Sequence, residues 1–178
     1  MTLIPPELTR LASSKIREFP DFPETGVLFR DFTPLMADGD SFGALIDGLA
    51  KVYEGKVDAI AGLESRGFIL AAPLAKQLGV GVLPIRKSGK LPGPVLSISY
   101  ELEYGQARME IRPDSVPKGA RVLIVDDVLA TGGTAEAGAQ LIESAGGIVV
   151  GICVLIELLD LKGQEKVSHR NLASVIQL

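Results

Sequence analysis

The sequence has a single cysteine in 178 residues, so no disulfide can form within the chain and a reducing compartment suits it. That residue, Cys153, lies in the apolar run 147–159, which points to a buried, inert thiol rather than a nucleophile. Histidine is just as scarce: His169 stands near the polar C-terminal end with no partner motif and is expected on the surface. Positive charge is not in excess, with 18 Lys and Arg against 22 Asp and Glu. The net charge of −4 argues against a general nucleic-acid binder but leaves room for a local basic pocket. No apolar run approaches the ~20 residues a membrane helix needs. Nor does a basic start followed by a long apolar stretch mark a signal peptide. A cytoplasmic protein with neither nucleic acid nor membrane as partner is expected. The 20 glycines follow no Gly-X-Y register and imply tight turns rather than a fibre.

What is present alternates. After a first helix following Pro5 and Pro6, the prolines and Gly26 of 19–26 make helix or strand unfavourable there. Asp40 or Ser41 is expected to cap a second helix carrying Phe42, Leu45, Ile46, Leu49 and Tyr53. Short apolar runs at 57–63, 80–85, 121–125 and 148–155 then alternate with helical stretches at 67–78 and 134–145. Pro73 is awkward in the first of these and predicts a kink or a late start. Strands buried on both faces and separated by helices make an α/β fold with a mainly parallel twisted sheet. Neither a repeat nor a linker divides residues 1–178, which read as one domain. Residues 87–107, with three glycines and two prolines, break the alternation and read as a lid or binding loop, in which 95–104 could form a hairpin arm.

The strongest local signal runs from 122 to 134. An apolar strand meets Asp126 and Asp127, then Ala130, Thr131, Gly132, Gly133 and Thr134 lead into a helix. Such a turn aims backbone N–H groups and the positive helix end at one point, which suits a phosphate. A nucleoside-triphosphate loop is excluded, since Gly-x-x-x-x-Gly-Lys-Ser/Thr occurs nowhere. Two carboxylates beside a phosphate site must face something else, and ribose hydroxyls or a developing positive charge on the sugar would suit them; their simpler role is to cap turns. Among other candidates, Phe29, Arg30 and Asp31 read by themselves as a packed aromatic with a surface ion pair. Arg86 and Lys87 follow the second strand and could be solvated charges, and Glu64 could be only a surface acid.

The 122–134 segment resembles the phosphoribosyl pyrophosphate signature of the type I phosphoribosyltransferases. Phe19-Pro20-Asp21-Phe22-Pro23 with the 26–34 segment, Gly62-Leu63-Glu64-Ser65-Arg66-Gly67-Phe68, Arg86-Lys87 with Lys90, and Glu103-Tyr104-Gly105 all resemble motifs of the adenine-using members, in order along nearly the whole chain. The resemblance implies transfer of the phosphoribosyl group to adenine, giving AMP and pyrophosphate in purine salvage. It implies that Ala130, Thr131, Gly132, Gly133 and Thr134 hold the 5′-phosphate, and that Asp126 and Asp127 contact the ribose. Arg66 would meet the pyrophosphate as a catalytic group, with Arg86, Lys87 and Lys90 neutralising it. Phe29 would stack on adenine while the backbones of Leu28 and Arg30 read its edge, in an N-terminal hood of about 35 residues. Glu103 would handle the proton beside Tyr104 on a mobile catalytic loop. Mg²⁺ would arrive with the substrate, with no dedicated metal site, and the partners would be small molecules and a second copy in a homodimer. Two alternatives stay open: another base as acceptor, or a non-catalytic ligand sensor on the same fold.

Overall fold

A computed structural model describes residues 3–101 and 106–178. The chain opens with helix α1 (Pro6–Ser13), where Pro6 sits in the first turn and has no helical bond to lose. A two-stranded antiparallel ribbon follows, β1 (Arg17–Pro20) against β2 (Leu28–Asp31), with Phe19 opposite Phe29. This corrects the reading of 19–26 as free of strand. Pro20 is the last residue of β1, in a ribbon with no further neighbour, so the ladder tolerates its missing N–H. A short helix α2 (Thr33–Ala37) precedes α3 (Gly39–Tyr53). The cap of α3 is Asp38, whose carboxylate accepts from the Ser41 N–H at 2.9 Å, and not Asp40 or Ser41. The short helix before it leaves Asp38 extended, and an extended residue is what an N-cap requires.

The rest alternates strand and helix: β3 (Ala59–Leu63), α4 (Gly67–Leu78), β4 (Gly81–Lys87), the hairpin β5 (Leu96–Glu101) and β6 (Gln106–Ile111), β7 (Arg121–Leu129), α5 (Gly133–Ser144), β8 (Ile148–Glu157), α6 (Gly163–Lys166) and β9 (Leu172–Gln177). Among the described residues, seven strands form one sheet in the order β5-β6-β4-β3-β7-β8-β9. Its five-stranded body is parallel, as expected, and the hairpin joins antiparallel through β4. The stretch that breaks the alternation is therefore partly sheet, with residues 96–101 extending the edge.

Both faces of the sheet are covered, and β7 shows how. Leu123 and Val125 point into one core with Leu70 and Leu74 of α4 and Leu45 and Leu49 of α3. Val122 and Ile124 point into the other with Leu141 and Ile142 of α5. Each such Leu or Ile contributes about 1.5–3 kcal/mol by leaving water. Cys153 is buried in the first core, and burial pushes its thiol up to about 11, as befits an inert group. Pro73 lies inside α4, which neither starts late nor stops there. Leu70, Ala71, Leu74 and Ala75 are buried on both sides of it, and that burial outweighs the ~3 kcal/mol proline penalty.

Candidate active site

The topology itself marks a crevice. From β3 the chain crosses through α4 to β4 on one side; from β7 it crosses through α5 to β8 on the other. The two helices lie on opposite faces, so the carboxyl ends of β3 and β7 part, and ligands of open α/β sheets gather at such switch points.

Arg66, Asp126 and Asp127 meet there. β7 continues through the acidic pair to Leu129, further than the apolar run alone suggested. Asp126 and Asp127 are both buried, and the Asp127 N–H donates to Oδ1 of Asp126 at 2.9 Å. Burial, and then the neighbouring Asp127 charge, push the Asp126 carboxyl well above the usual carboxylate range. Arg66 immediately precedes α4, and its Nη2 lies 2.7 Å from Oδ2 of Asp127. The two are close enough to pair but not aligned as a hydrogen bond. The guanidinium also sits 5.4 Å from the ring centre of the fully buried Phe32. α4 starts this close to β7 because Gly67 has no side chain: a Cβ there would lie 2.7 Å from the Val125 carbonyl oxygen and 2.9 Å from Asp126 Oδ1.

After β7, Ala130, Thr131 and Gly132 turn the chain into α5, where Gly133 and Thr134 open the first turn. Among the described residues no side chain caps α5, and the N–H groups of its first turn point out of the helix start, a geometry that suits an anion. Gly132 holds φ +79°, a conformation that suits glycine. Its second constraint comes from behind: a Cβ on Gly132 would lie 2.5 Å from the Gly163 carbonyl oxygen, and one on Gly163 would strike the Ala130 carbonyl oxygen. The turn is thus backed by the start of α6, with the glycines allowing chain to approach chain as well as ligand.

Two cations of the 86–90 segment, Arg86 and Lys90, pair with Glu64, whose sequence context suggests only a surface acid. Glu64, just beyond β3, is half-buried as a residue, with its side chain 7% exposed. Arg86 Nε donates to Oε2 at 3.0 Å, the Lys87 N–H to the same oxygen at 2.8 Å, and Lys90 Nζ to Oε1 at 2.5 Å. Burial pushes this carboxyl up, but the hydrogen bonds from Arg86, Lys90 and Lys87 outweigh it and hold it at about 2. A second buried acid, Glu110 of β6, accepts from Ser88 Oγ at 2.6 Å and the Gly89 N–H at 3.0 Å. Neither was visible locally, because each partner is more than twenty residues away.

Leu28, Phe29 and Arg30 lie together on β2. Phe29 is half-buried, with Phe22 meeting it edge-on at 5.2 Å between ring centres, and Leu28 is exposed. Arg30 Nε is 3.8 Å from Glu18 Oε1 and makes no hydrogen bond. Glu103 and Tyr104 lie outside the described residues. His169 is exposed, as expected, with Nε2 3.6 Å from Glu136.

Residues 39–177 match the phosphoribosyl transferase domain family. Adenine phosphoribosyltransferase of Roseiflexus sp. is 50% identical over 171 residues, which cover 96% of this chain and 99% of the relative. The chain belongs to the adenine phosphoribosyltransferases. In structure it resembles the adenine phosphoribosyltransferase of Thermoanaerobacter pseudethanolicus with a TM-score of 0.91, at 50% identity over 96% of this chain and 99% of that one. The enzyme of Saccharomyces cerevisiae, solved with an imino-altritol bisphosphate and adenine, gives a TM-score of 0.89 at 38% identity, covering 95% of this chain and 98% of that one. Membership in the adenine phosphoribosyltransferases agrees with the parallel sheet and its flanking helices.

Proposed function

We propose that this crevice transfers the phosphoribosyl group of 5-phosphoribosyl 1-pyrophosphate to adenine, releasing AMP and pyrophosphate, in adenine salvage. The observation that carries the reading is the convergence of the uncapped α5 start, the acidic pair of β7 and Arg66 at one switch point, in a chain of this family. In it, the N–H groups and hydroxyls from Ala130 to Thr134 hold the 5′-phosphate. Asp126 and Asp127 take the ribose hydroxyls and favour the positive charge that develops at the sugar as its bond to pyrophosphate breaks. Arg66, Arg86, Lys87 and Lys90 neutralise the leaving pyrophosphate. Phe29 stacks on adenine, the backbones of Leu28 and Arg30 read its edge, Tyr104 contributes to the adenine site, and Glu103 moves the proton. Mg²⁺ would be carried in with the substrate and would help offset the pyrophosphate charge. Placing reactants and offsetting charge supply most of the rate in such a reaction. The same reading takes 1–178 as one domain, with about 1–35 as hood and a catalytic loop within about 87–107, of which 96–101 and 106–107 pair in the sheet. It acts as a cytoplasmic homodimer on small molecules, with neither nucleic acid nor membrane as partner.

Pyrophosphate release with the phosphoribosyl donor, Mg²⁺ and each base in turn tests this. Release with adenine and little with hypoxanthine, guanine, xanthine or orotate is expected. Release with hypoxanthine alone overturns the base, and release with none overturns the reaction.

A further inference from the structure

Two of the cations assigned to pyrophosphate, Arg86 and Lys90, are already paired with an anion of the protein itself, Glu64. Glu64 faces Arg86, Lys90 and the Lys87 N–H, and its carboxylate is far less exposed than the cations, of which Lys90 is 49% and Arg86 31% exposed. A scaffold role alone would need only Arg86 and the backbone N–H, which already fix the end of β4. Lys90 adds a third, exposed contact from beyond the turn.

The three donors differ in what they can give up. The Lys87 N–H belongs to the backbone and stays. Arg86 gives Glu64 its Nε, leaving its two terminal nitrogens for another anion, and its guanidinium rests 5.9 Å from the Phe68 ring centre. Lys90 carries its charge on a long stem with a single ammonium, so it can serve Glu64 or a ligand, but serves the second better by leaving the first. The turn between them is pinned separately, since Glu110 holds Ser88 and Gly89. Lys90 can therefore change partners by rotating its side chain while that turn stays in place.

We propose that Glu64 is a built-in counter-anion of the pyrophosphate subsite, holding Lys90 while the site is empty and competing for it when pyrophosphate is bound. The proposal rests on the assignment of Arg86 and Lys90 to pyrophosphate. Its consequence is weaker pyrophosphate binding than the cations alone would give, and hence easier product release. The contacts of Glu64 are to Arg86, Lys87 and Lys90, whereas the 5′-phosphate is assigned to the α5 start, so AMP affinity should not depend on Glu64.

Calorimetric titration of the whole protein with magnesium pyrophosphate, and separately with AMP, tests it. Glu64→Gln should bind pyrophosphate about tenfold more tightly, which corresponds to ~1.4 kcal/mol of lost competition, and AMP as the wild type does. Added to Lys90→Met, Glu64→Gln should tighten pyrophosphate binding much less than it does in the wild type, since only Arg86 is then released. Unchanged or weaker pyrophosphate binding by Glu64→Gln, with AMP binding intact, overturns the proposal, as does tightening that is as large without Lys90 as with it. If Glu64→Gln loses AMP binding or fails to fold, Glu64→Asp decides: the shorter arm loosens Lys90 first and should tighten pyrophosphate binding by a smaller factor, and no tightening overturns the proposal. Wild-type protein that binds no magnesium pyrophosphate overturns the subsite assignment itself, a result distinct from these.

Discussion

Arg66 and Asp127 face each other across the switch point, Nη2 to Oδ2 at 2.7 Å, one from the start of α4 and the other from the end of β7. The pair joins the two halves of the crevice. Arg66→Gln should lower kcat/KM for the phosphoribosyl donor about 100-fold, the loss expected for a charged contact worth ~2–3 kcal/mol. The fold should lose less, about 1 kcal/mol, because the arginine is 44% exposed and water screens the pair. Steady-state kinetics and thermal unfolding of the same variant separate the two effects.

The contact behind the 130–134 turn gives a second prediction. Gly163→Ala would drive a methyl group into the Ala130 carbonyl oxygen and near the Gly132 N–H. The turn must shift, so AMP binding should weaken at least about tenfold with a stability loss of ~1–3 kcal/mol. AMP titration of Gly163→Ala checks this; wild-type affinity would mean that the backing chain does not shape the turn.

Acid should expose the buried carboxylate of Glu64. Its native pKa is about 2, below that of an unfolded glutamate, so its hydrogen bonds stabilise the native state fully above about pH 4.5 and progressively less as pH falls towards 2. Wild type should therefore lose stability more steeply than Glu64→Gln between about pH 5 and pH 2, with parallel curves above pH 6. Denaturant unfolding across that range reads the difference.

Arg170 is an 8%-exposed side chain between two acids of α5, donating to Glu136 at 2.6 and 2.8 Å and to Glu143 at 2.7 and 3.2 Å. Arg170→Met should cost about 1–2 kcal/mol, or roughly 2–8 °C in Tm, by leaving the half-buried Glu136 without its main partner. Adding Glu136→Gln should restore part of the loss, and a Tm cycle over the four proteins measures the coupling.

The α/β fold was legible because β3, β7 and β8 are nearly continuous apolar runs with helices between them, and burial on both faces writes that pattern plainly. α4 was legible to the residue because Gly67 and Gly79 bound it. β9 was not: Ser174 and Gln177 make it look polar, and only their hydrogen bonds to the buried Glu157 explain their place in the sheet. β1 was hidden by Pro20, whose strand position is tolerable only in a ribbon with no further neighbour. In the candidate site, the turn from Ala130 to Thr134 was legible since its chemistry is local. Glu64 was not, because an acid looks the same in sequence whether water or three donors surround it. The roles of Phe29, Glu103 and Tyr104 came from resemblance alone, and local physics would have left them as ordinary residues.

The central pairing also has a consequence in time. Ala59 lies opposite Val122, sixty-three residues further along the chain, and β7 in turn pairs with β8. On a ribosome adding about 5–20 residues per second, β3 waits on the order of 3–13 s for its inner neighbour to be made. Its five residues are all buried in the finished sheet. During that interval they have only β4 and the helices before and after β3 to cover them, so the newborn chain is most open to aggregation or chaperone capture while residues 64–121 are being made.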